Sequence, residues 1–218
     1  MPLLGTAPLT VRYMDDALLV FDKPAGLLSV PGRGDDKQDC LSARAQALYP
    51  DALVVHRLDM ATSGLIVMAR GTNNQRLLSM AFAARQVRKC YVALVDGLVR
   101  QGAGTTRTID LPIGLDWPNR PRRAIDFARG KASVTGLRVL SYDADRCATQ
   151  VELEPLTGRS HQLRVHMQAI GHAILGDALY ASPQVQAKYG RLALHAQSLA
   201  FPHPQSGQWL RLRSPPEF

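Results

Sequence analysis

His56-Arg57-Leu58-Asp59-Met60-Ala61-Thr62-Ser63-Gly64-Leu65-Ile66-Val67-Met68-Ala69 joins a polar cluster to an unbroken apolar run. The run, bordered by Gly64 and Arg70, has the length and flanks of a buried strand. The polar residues ahead of it then lie on a loop, and a loop beside a sheet end fixes a side chain in place. Asp59 is the chemically able residue of that loop. An aspartate beside an arginine is ordinarily a local ion pair or a loop cap, and the tetrapeptide alone does not choose between these and catalysis.

Upstream, Asp15-Asp16 marks a turn before Ala17-Leu-Leu-Val-Phe21, a second strand, which Lys23-Pro24-Ala25-Gly26 breaks. Asp39 to Leu48 reads as a short helix ended before Pro50. Downstream the period changes: Leu77 with Ala81 and Leu78 with Phe82 are helical pairs, Thr72 or Asn73 is the expected N-cap, and the helix should end near Gln86. Cys90 to Val95 is another buried strand with Tyr91 near its start. Glycines and prolines cut 97–121 into short strands, and Asn119 to Lys131 reads as an exposed loop with five cations against Asp126.

Ala132 to Leu140 and Ala148 to Glu154 alternate as half-buried strands. Leu156-Thr-Gly-Arg-Ser-His161 is a polar turn with Ser160 as N-cap of a helix whose stripe is Leu163, Met167 and Ile170, stopped at Gly171. Leu192 to Phe201 and Gln208 to Arg213 close the chain around the turn Pro202 to Gly207. Short strands joined by turns, with few helices, predict an α+β fold: a mixed, mostly antiparallel sheet with flanking helices and loops.

The 218 residues, 46% apolar, suffice for one core without disulfides or metals, so one domain spanning 1–218 is expected, with room for two lobes. Three widely spaced cysteines without a C-x-x-C support neither a disulfide framework nor a zinc knuckle and suit a reducing cytoplasm. The N-terminus lacks the pattern of a signal peptide, and no apolar run is long enough for a membrane span. The net charge is +8, and between Pro155 and Pro216 one acid, Asp177, faces six Lys and Arg. The last third is therefore expected as a basic surface, suited to nucleic acid, an acidic surface or solubility.

Among the candidates, Arg164 on the predicted helix has a guanidinium able to grip a carboxylate by two parallel hydrogen bonds; a structural ion pair is the plainer reading. Tyr91 is by ordinary expectation a core aromatic, and otherwise a face on which a base stacks, worth about 1–3 kcal/mol. Arg159, at a helix N-terminus, suits phosphate, or is a solvated loop charge. His161 and His166, five apart, point to different faces of a helix, which excludes a two-histidine metal site.

These residues stand in strings that resemble the RluA family of pseudouridine synthases. His56 to Leu65 resembles the family signature, Asp22-Lys-Pro-Ala-Gly-Leu-Leu-Ser29 its first motif, Lys89-Cys-Tyr-Val-Ala93 its tyrosine motif, Leu156 to His166 its arginine motif, and Leu192-Ala-Leu-His-Ala196 its closing strand. The resemblance implies Asp59 as the essential aspartate, Tyr91 stacked on the target base, Arg164 paired with the aspartate, and Arg57 taking the place of the flipped base. Lys23, Arg159, His161, Leu194, Arg120 and Arg122 are then expected to contact RNA.

The family fold, an isomerase activity without metal or cofactor, and a cytoplasmic monomer with no obligate protein partner follow as expectations. The first motif begins too early for the S4-like domain that many relatives carry. Ser29-Val-Pro-Gly-Arg33, Asp116-Trp-Pro-Asn-Arg-Pro121 and Gly171 to Asp177 point to a subgroup acting on uridine 32 of the tRNA anticodon stem-loop and on a 23S rRNA hairpin; Ala173 stands where proline is expected. Two competitors remain. A non-catalytic RNA-binding protein on the same fold would tolerate change at Asp59 and Tyr91, and a nucleoside or glycoside hydrolase using Asp59 would ordinarily need two carboxylates flanking one bond, where the other motifs supply Arg, Tyr and Lys.

Overall fold

A computed structural model describes residues 8–100 and 105–218. The expectation about the first residues of the chain, and part of the 97–121 stretch, lie outside the described residues. In chain order the elements are β1 (Thr10–Met14), β2 (Leu18–Lys23), α1 (Leu41–Leu48), β3 (Ala52–Val54), β4 (Ser63–Arg70), α2 (Thr72–Ala83), β5 (Arg88–Asp96) and β6 (Arg107–Asp110). There follow β7 (Ile113–Leu115), β8 (Arg123–Ile125), β9 (Val134–Asp143), β10 (Ala148–Pro155), α3 (Gln162–Ala169), α4 (Pro183–Ala187), β11 (Leu194–Pro202) and β12 (Trp209–Arg213). The α+β class is as expected. The chain divides into two compact units, 1–89 with 196–216, and 90–195 with 217–218.

In the first unit the strand order is β1-β2-β4-β11, with β3 paired to β4 and β12 to β11. β2 and β4 run antiparallel with Val20 opposite Val67 and Phe21 opposite Ile66. The expected strand 65–69 is the middle of β4, and seven of its eight residues are buried. Both faces are covered, which is why the sequence shows a continuous apolar run there instead of alternation. Leu18, Val20, Leu65, Val67 and Phe201 form one core with Leu78 and Ala81 of α2. Each large side chain so buried contributes about 1.5–3 kcal/mol.

Helix boundaries differ from expectation for local reasons. α2 starts at Thr72 behind Gly71, whose φ of 75° lets the chain turn into the helix without a side-chain cap. It ends before Gln86 because Arg85 adopts φ 57° and Gln86 N–H donates to Ala81 O at 2.9 Å, a left-handed stop on a non-glycine residue. α1 starts at Leu41, where the Cys40 Sγ accepts the Ala43 N–H. β1, β3, β6 and α4 carry no strong pattern and were not separately expected.

In the second unit the order is β5-β10-β9-β6, antiparallel throughout, with Val151 of β10 opposite both Ala93 and Val139. The stretch 119–131 is not all loop: β8 lies within it and pairs with β7 as a hairpin. Past β8, Asp126 Oδ1 accepts the N–H groups of Ala128 and Arg129 and closes the following turn. α3 is capped by His161, not Ser160. The Gln162 Oε1 takes the Thr157 hydroxyl at 2.7 Å and the Arg159 N–H at 3.0 Å, organising the turn, while His161 adopts φ 58°. His161 is thus off the helix, and α3 is no half-exposed stripe, since Gln162 to Met167 are all buried.

Gly64 is the tightest point of the first unit. Its φ is +109°, and a Cβ there would lie 2.4 Å from Ala196 O and 2.6 Å from Ala196 N, both backbone atoms that cannot step aside. Gly64→Ala should cost about 3 kcal/mol or more, read as a lower urea midpoint at unchanged slope. A midpoint equal to the parent's would mean that β4 and β11 separate easily.

Candidate active site

Asp59 sits between β3 and β4 on a loop gripped at both neighbours. Leu58 is held by one side chain: Ser29 Oγ donates to Leu58 O at 2.7 Å and accepts Leu58 N–H at 3.0 Å. On the other side Met60 O accepts from Gly26 N–H at 2.8 Å and from Lys23 Nζ at 3.1 Å. Thr62 N–H returns to Asp59 O at 3.1 Å and closes the turn. The Lys23-to-Ser29 segment is therefore the mould in which the Asp59 loop is cast.

Lys23 differs from the RNA-facing residue expected. It is 0% exposed, and its ammonium spends its three N–H bonds on Pro24 O, Leu27 O and Met60 O. Burial lowers its pKa to about 8, and the carboxylate of Asp59 opposes that fall. The cation thus remains charged at neutral pH beside Asp59. Arg57, two residues before it, is exposed, as a residue meant to enter RNA requires.

His56 opens the motif from below. Its Nε2 accepts the Val67 N–H at 3.1 Å, and its ring stacks on Phe82 with centroids 4.6 Å apart. Burial first, and the Lys89 charge second, lower its pKa to about 3.

In the second unit, Tyr91 is half-buried opposite Leu153, and because β5 begins at Arg88 it stands inside the strand as its fourth residue, not at the strand-to-loop junction expected. Arg164 is buried on α3 and bound bidentately by Asp177, the lone acid between Pro155 and Pro216: Nε donates to Asp177 Oδ2 at 2.8 Å and Nη2 to Asp177 Oδ1 at 2.7 Å. His161 Nδ1 lies 2.7 Å from the Tyr180 hydroxyl, and the Tyr180 ring lies 5.0 Å from the Arg164 guanidinium carbon. Asp177 and Tyr180 are the contacts of Arg164 that the sequence pattern does not predict. Their signal was present in Asp177 itself, the single acid of a basic third.

Arg120 and Arg122 are exposed on the loop between β7 and β8, with Arg120 3.9 Å above the exposed Trp117 ring. Arg159 is exposed, its Nε donating to Ala132 O at 3.3 Å. Leu194 is 3% exposed and, like Lys23, does not present an RNA-facing side chain. The last third is also less basic than its composition: Arg164 pairs with Asp177, Lys188 with Asp96 and Arg191 with Glu217.

The neutral His56 gives a pH signature. Its pKa is depressed in the folded state, so its contribution to stability is complete above about 6.5 and is lost as pH falls toward about 3. His166, whose pKa burial also lowers, acts in the same sense. Between pH 6.5 and 5.5 unfolding free energy should fall by up to about 1.4 kcal/mol on account of His56, with His166 adding in the same direction, and His56→Gln should remove the His56 share. Urea titrations at both pH values check this; equal losses in parent and variant would rule His56 out as the source.

The profile of the RNA pseudouridylate synthase family matches residues 17–169. The chain is 47% identical over 210 residues to the dual-specificity RNA pseudouridine synthase RluA of Escherichia coli strain K12, covering 96% of this chain and 94% of that one. It is 44% identical to the protein of that name from Pasteurella multocida over the full length of both. Among solved structures, human RNA pseudouridylate synthase domain containing 1 superposes with a TM-score of 0.80 at 28% identity, over 97% of this chain and 84% of that one. With its motifs in the order and setting described above, the chain belongs to the RNA pseudouridylate synthase family, and so to the isomerases.

Proposed function

We propose that the chain, acting as one catalytic domain over 1–218, converts uridine 32 of a tRNA anticodon stem-loop and a uridine of a 23S rRNA hairpin to pseudouridine. The observation that carries this is the Asp59 loop, held on both sides by Ser29 and Lys23 within a family match that runs across both compact units. The dual-specificity name of the relatives supports two RNA targets. The division into 1–89 with 196–216, and the rest, is then internal to one enzyme.

The reaction breaks the N1–C1′ bond, turns the uracil, and joins C5 to C1′; the C5 hydrogen leaves as a proton and N1 gains one. Nothing is transferred to or from a third molecule, so no cofactor enters. Asp59 supplies the carboxylate that acts on C1′, on C6 or on a sugar proton. Tyr91 receives the base, and Arg164 orients the aspartate. The target base must leave its stack at a cost of a few kcal/mol, offset by Arg57 filling the gap and by stacking on Tyr91. Arg159, His161, Arg120 and Arg122 hold the RNA, the exposed arginines through phosphates. The enzyme works as a monomer in the cytoplasm.

RNA tritiated at C5 of uracil tests the reading: the protein should release label without releasing free uracil, and free uracil would identify a hydrolase. Asp59→Asn should bind RNA within about twofold of the parent and release no label above background, since all three routes need the carboxylate. Arg57→Ala should slow turnover on a structured stem-loop by about 10-fold or more and do less harm where the target is already unpaired. Equal losses on both substrates would argue against a flipping role.

A further inference from the structure

Arg164 is held more firmly than pairing with one catalytic carboxylate would require. Asp177 takes two of the five N–H bonds a guanidinium carries, both from its Nε–Nη2 edge, and thereby fixes the direction of the other three. Both side chains are buried, 5% and 0% exposed. The pair is neutral as a whole, so Arg164 serves to aim donors more than to add positive charge.

The same carboxylate builds the turn that carries the next residue of the group. Asp177 Oδ1 accepts the N–H of Leu179 at 2.9 Å and of Tyr180 at 3.1 Å, which sets the Tyr180 ring against Arg164. Gly176 ahead of it has φ +71°, and a Cβ there would meet Arg191 O at 1.8 Å. The turn is thus locked from below as well.

The Tyr180 hydroxyl then reaches two other elements. It accepts the Arg123 N–H, the first residue of β8, at 2.8 Å, which leaves its own hydrogen for His161 Nδ1 at 2.7 Å. The ring packs with Ile113, Val165, Ile125 and Leu179, so the base of the β7–β8 hairpin rests on it. Arg123 Nε is, among the described residues, the buried side-chain nitrogen without a hydrogen-bond partner. A stranded donor at the foot of a basic hairpin is suited to an acceptor brought by RNA.

We propose that Asp177 is a positioning residue for the isomerisation, because it fixes the plane of Arg164, and that the Tyr180 hydroxyl serves RNA binding instead, because it ties down the β7–β8 hairpin beside that side chain. This rests on the reading of Arg164 as a catalytic group. The two residues divide the work, and their variants should separate in kinetics. Asp177→Asn removes one acceptor from the guanidinium and leaves the hairpin alone. Tyr180→Phe keeps the ring over Arg164 and frees the hairpin.

The test is single-turnover tritium release from in vitro transcribed tRNA with enzyme in excess, where the rate constant does not depend on the active fraction. Asp177→Asn should be about 10–100-fold slower with RNA affinity within about twofold, as for supporting shells elsewhere. Tyr180→Phe should bind RNA about 3–10-fold more weakly and react at the parent's rate once saturated. Arg164→Met/Asp177→Asn, which also removes both charges of the buried pair, should be no slower than Arg164→Met, because Asp177 acts through Arg164.

An unchanged rate in Asp177→Asn, or losses that multiply in the double variant, would overturn the role of Asp177. A Tyr180→Phe enzyme that loses rate instead of affinity, or neither, would overturn the role of the hydroxyl. An Arg164→Met variant as fast as the parent would overturn the catalytic reading of Arg164 itself, and the positioning role with it.

Discussion

A lysine ammonium cannot be taken out of water unless each of its N–H bonds finds an acceptor, and this requirement organises the first unit. Lys23, at the end of β2 and fully buried, needs three carbonyls at once; Pro24, Leu27 and Met60 provide them. Two of the three lie in the chain that follows it and the third lies beside Asp59. The segment after β2 and the loop before β4 are thereby tied, and Ser29 repeats the tie one residue upstream of Asp59. In the catalytic role proposed for Asp59, a carboxylate that must meet one atom of its substrate needs this kind of fixation, because misplacement by an ångström costs orders of magnitude in rate.

The basic charge divides along the same line between fold and function. Arg12, Arg44, Arg70, Arg138, Arg146, Arg164 and Arg191 are each paired with a carboxylate. Arg57, Arg120, Arg122 and Arg159 are exposed and, among the described residues, have no ion pair. Exposed pairs stabilise a fold by only about 0–1 kcal/mol, so the paired set, the buried Arg164–Asp177 apart, explains little of the stability. These four are among the exposed cations that the +8 surplus leaves available for phosphates.

Much of this was legible in the sequence. The apolar runs that became β2, β4, β5 and β10 are visible because each buries at least one continuous face, β9 through its buried first half, and α2 because its i, i+4 pairs meet β4. The Asp59 loop and the placing of Tyr91 on β5 followed from the same patterns, although β5 begins three residues earlier, at Arg88. Features set by contacts distant in sequence were not legible. Gln162, which follows the left-handed His161, is held by Val134 O and Thr135 Oγ1, 28 and 27 residues away; the burial of Lys23 depends on Met60, 37 residues away; β8 depends on its pairing with β7. Asp177 looked like an isolated acid until α3 brought Arg164 to it.

The most direct test of Lys23 as the post that holds Asp59 is the pH dependence of the single-turnover rate constant. Burial brings the Lys23 pKa down to about 8, so above that pH the ammonium is lost, one carbonyl loses its donor, and the charge beside Asp59 disappears. The rate should fall above about pH 8, by up to tenfold per pH unit, while Lys23→Met should be slow at every pH and lack that limb. A parent rate that stays level to about pH 9.5, or the same alkaline limb in Lys23→Met, would contradict the account.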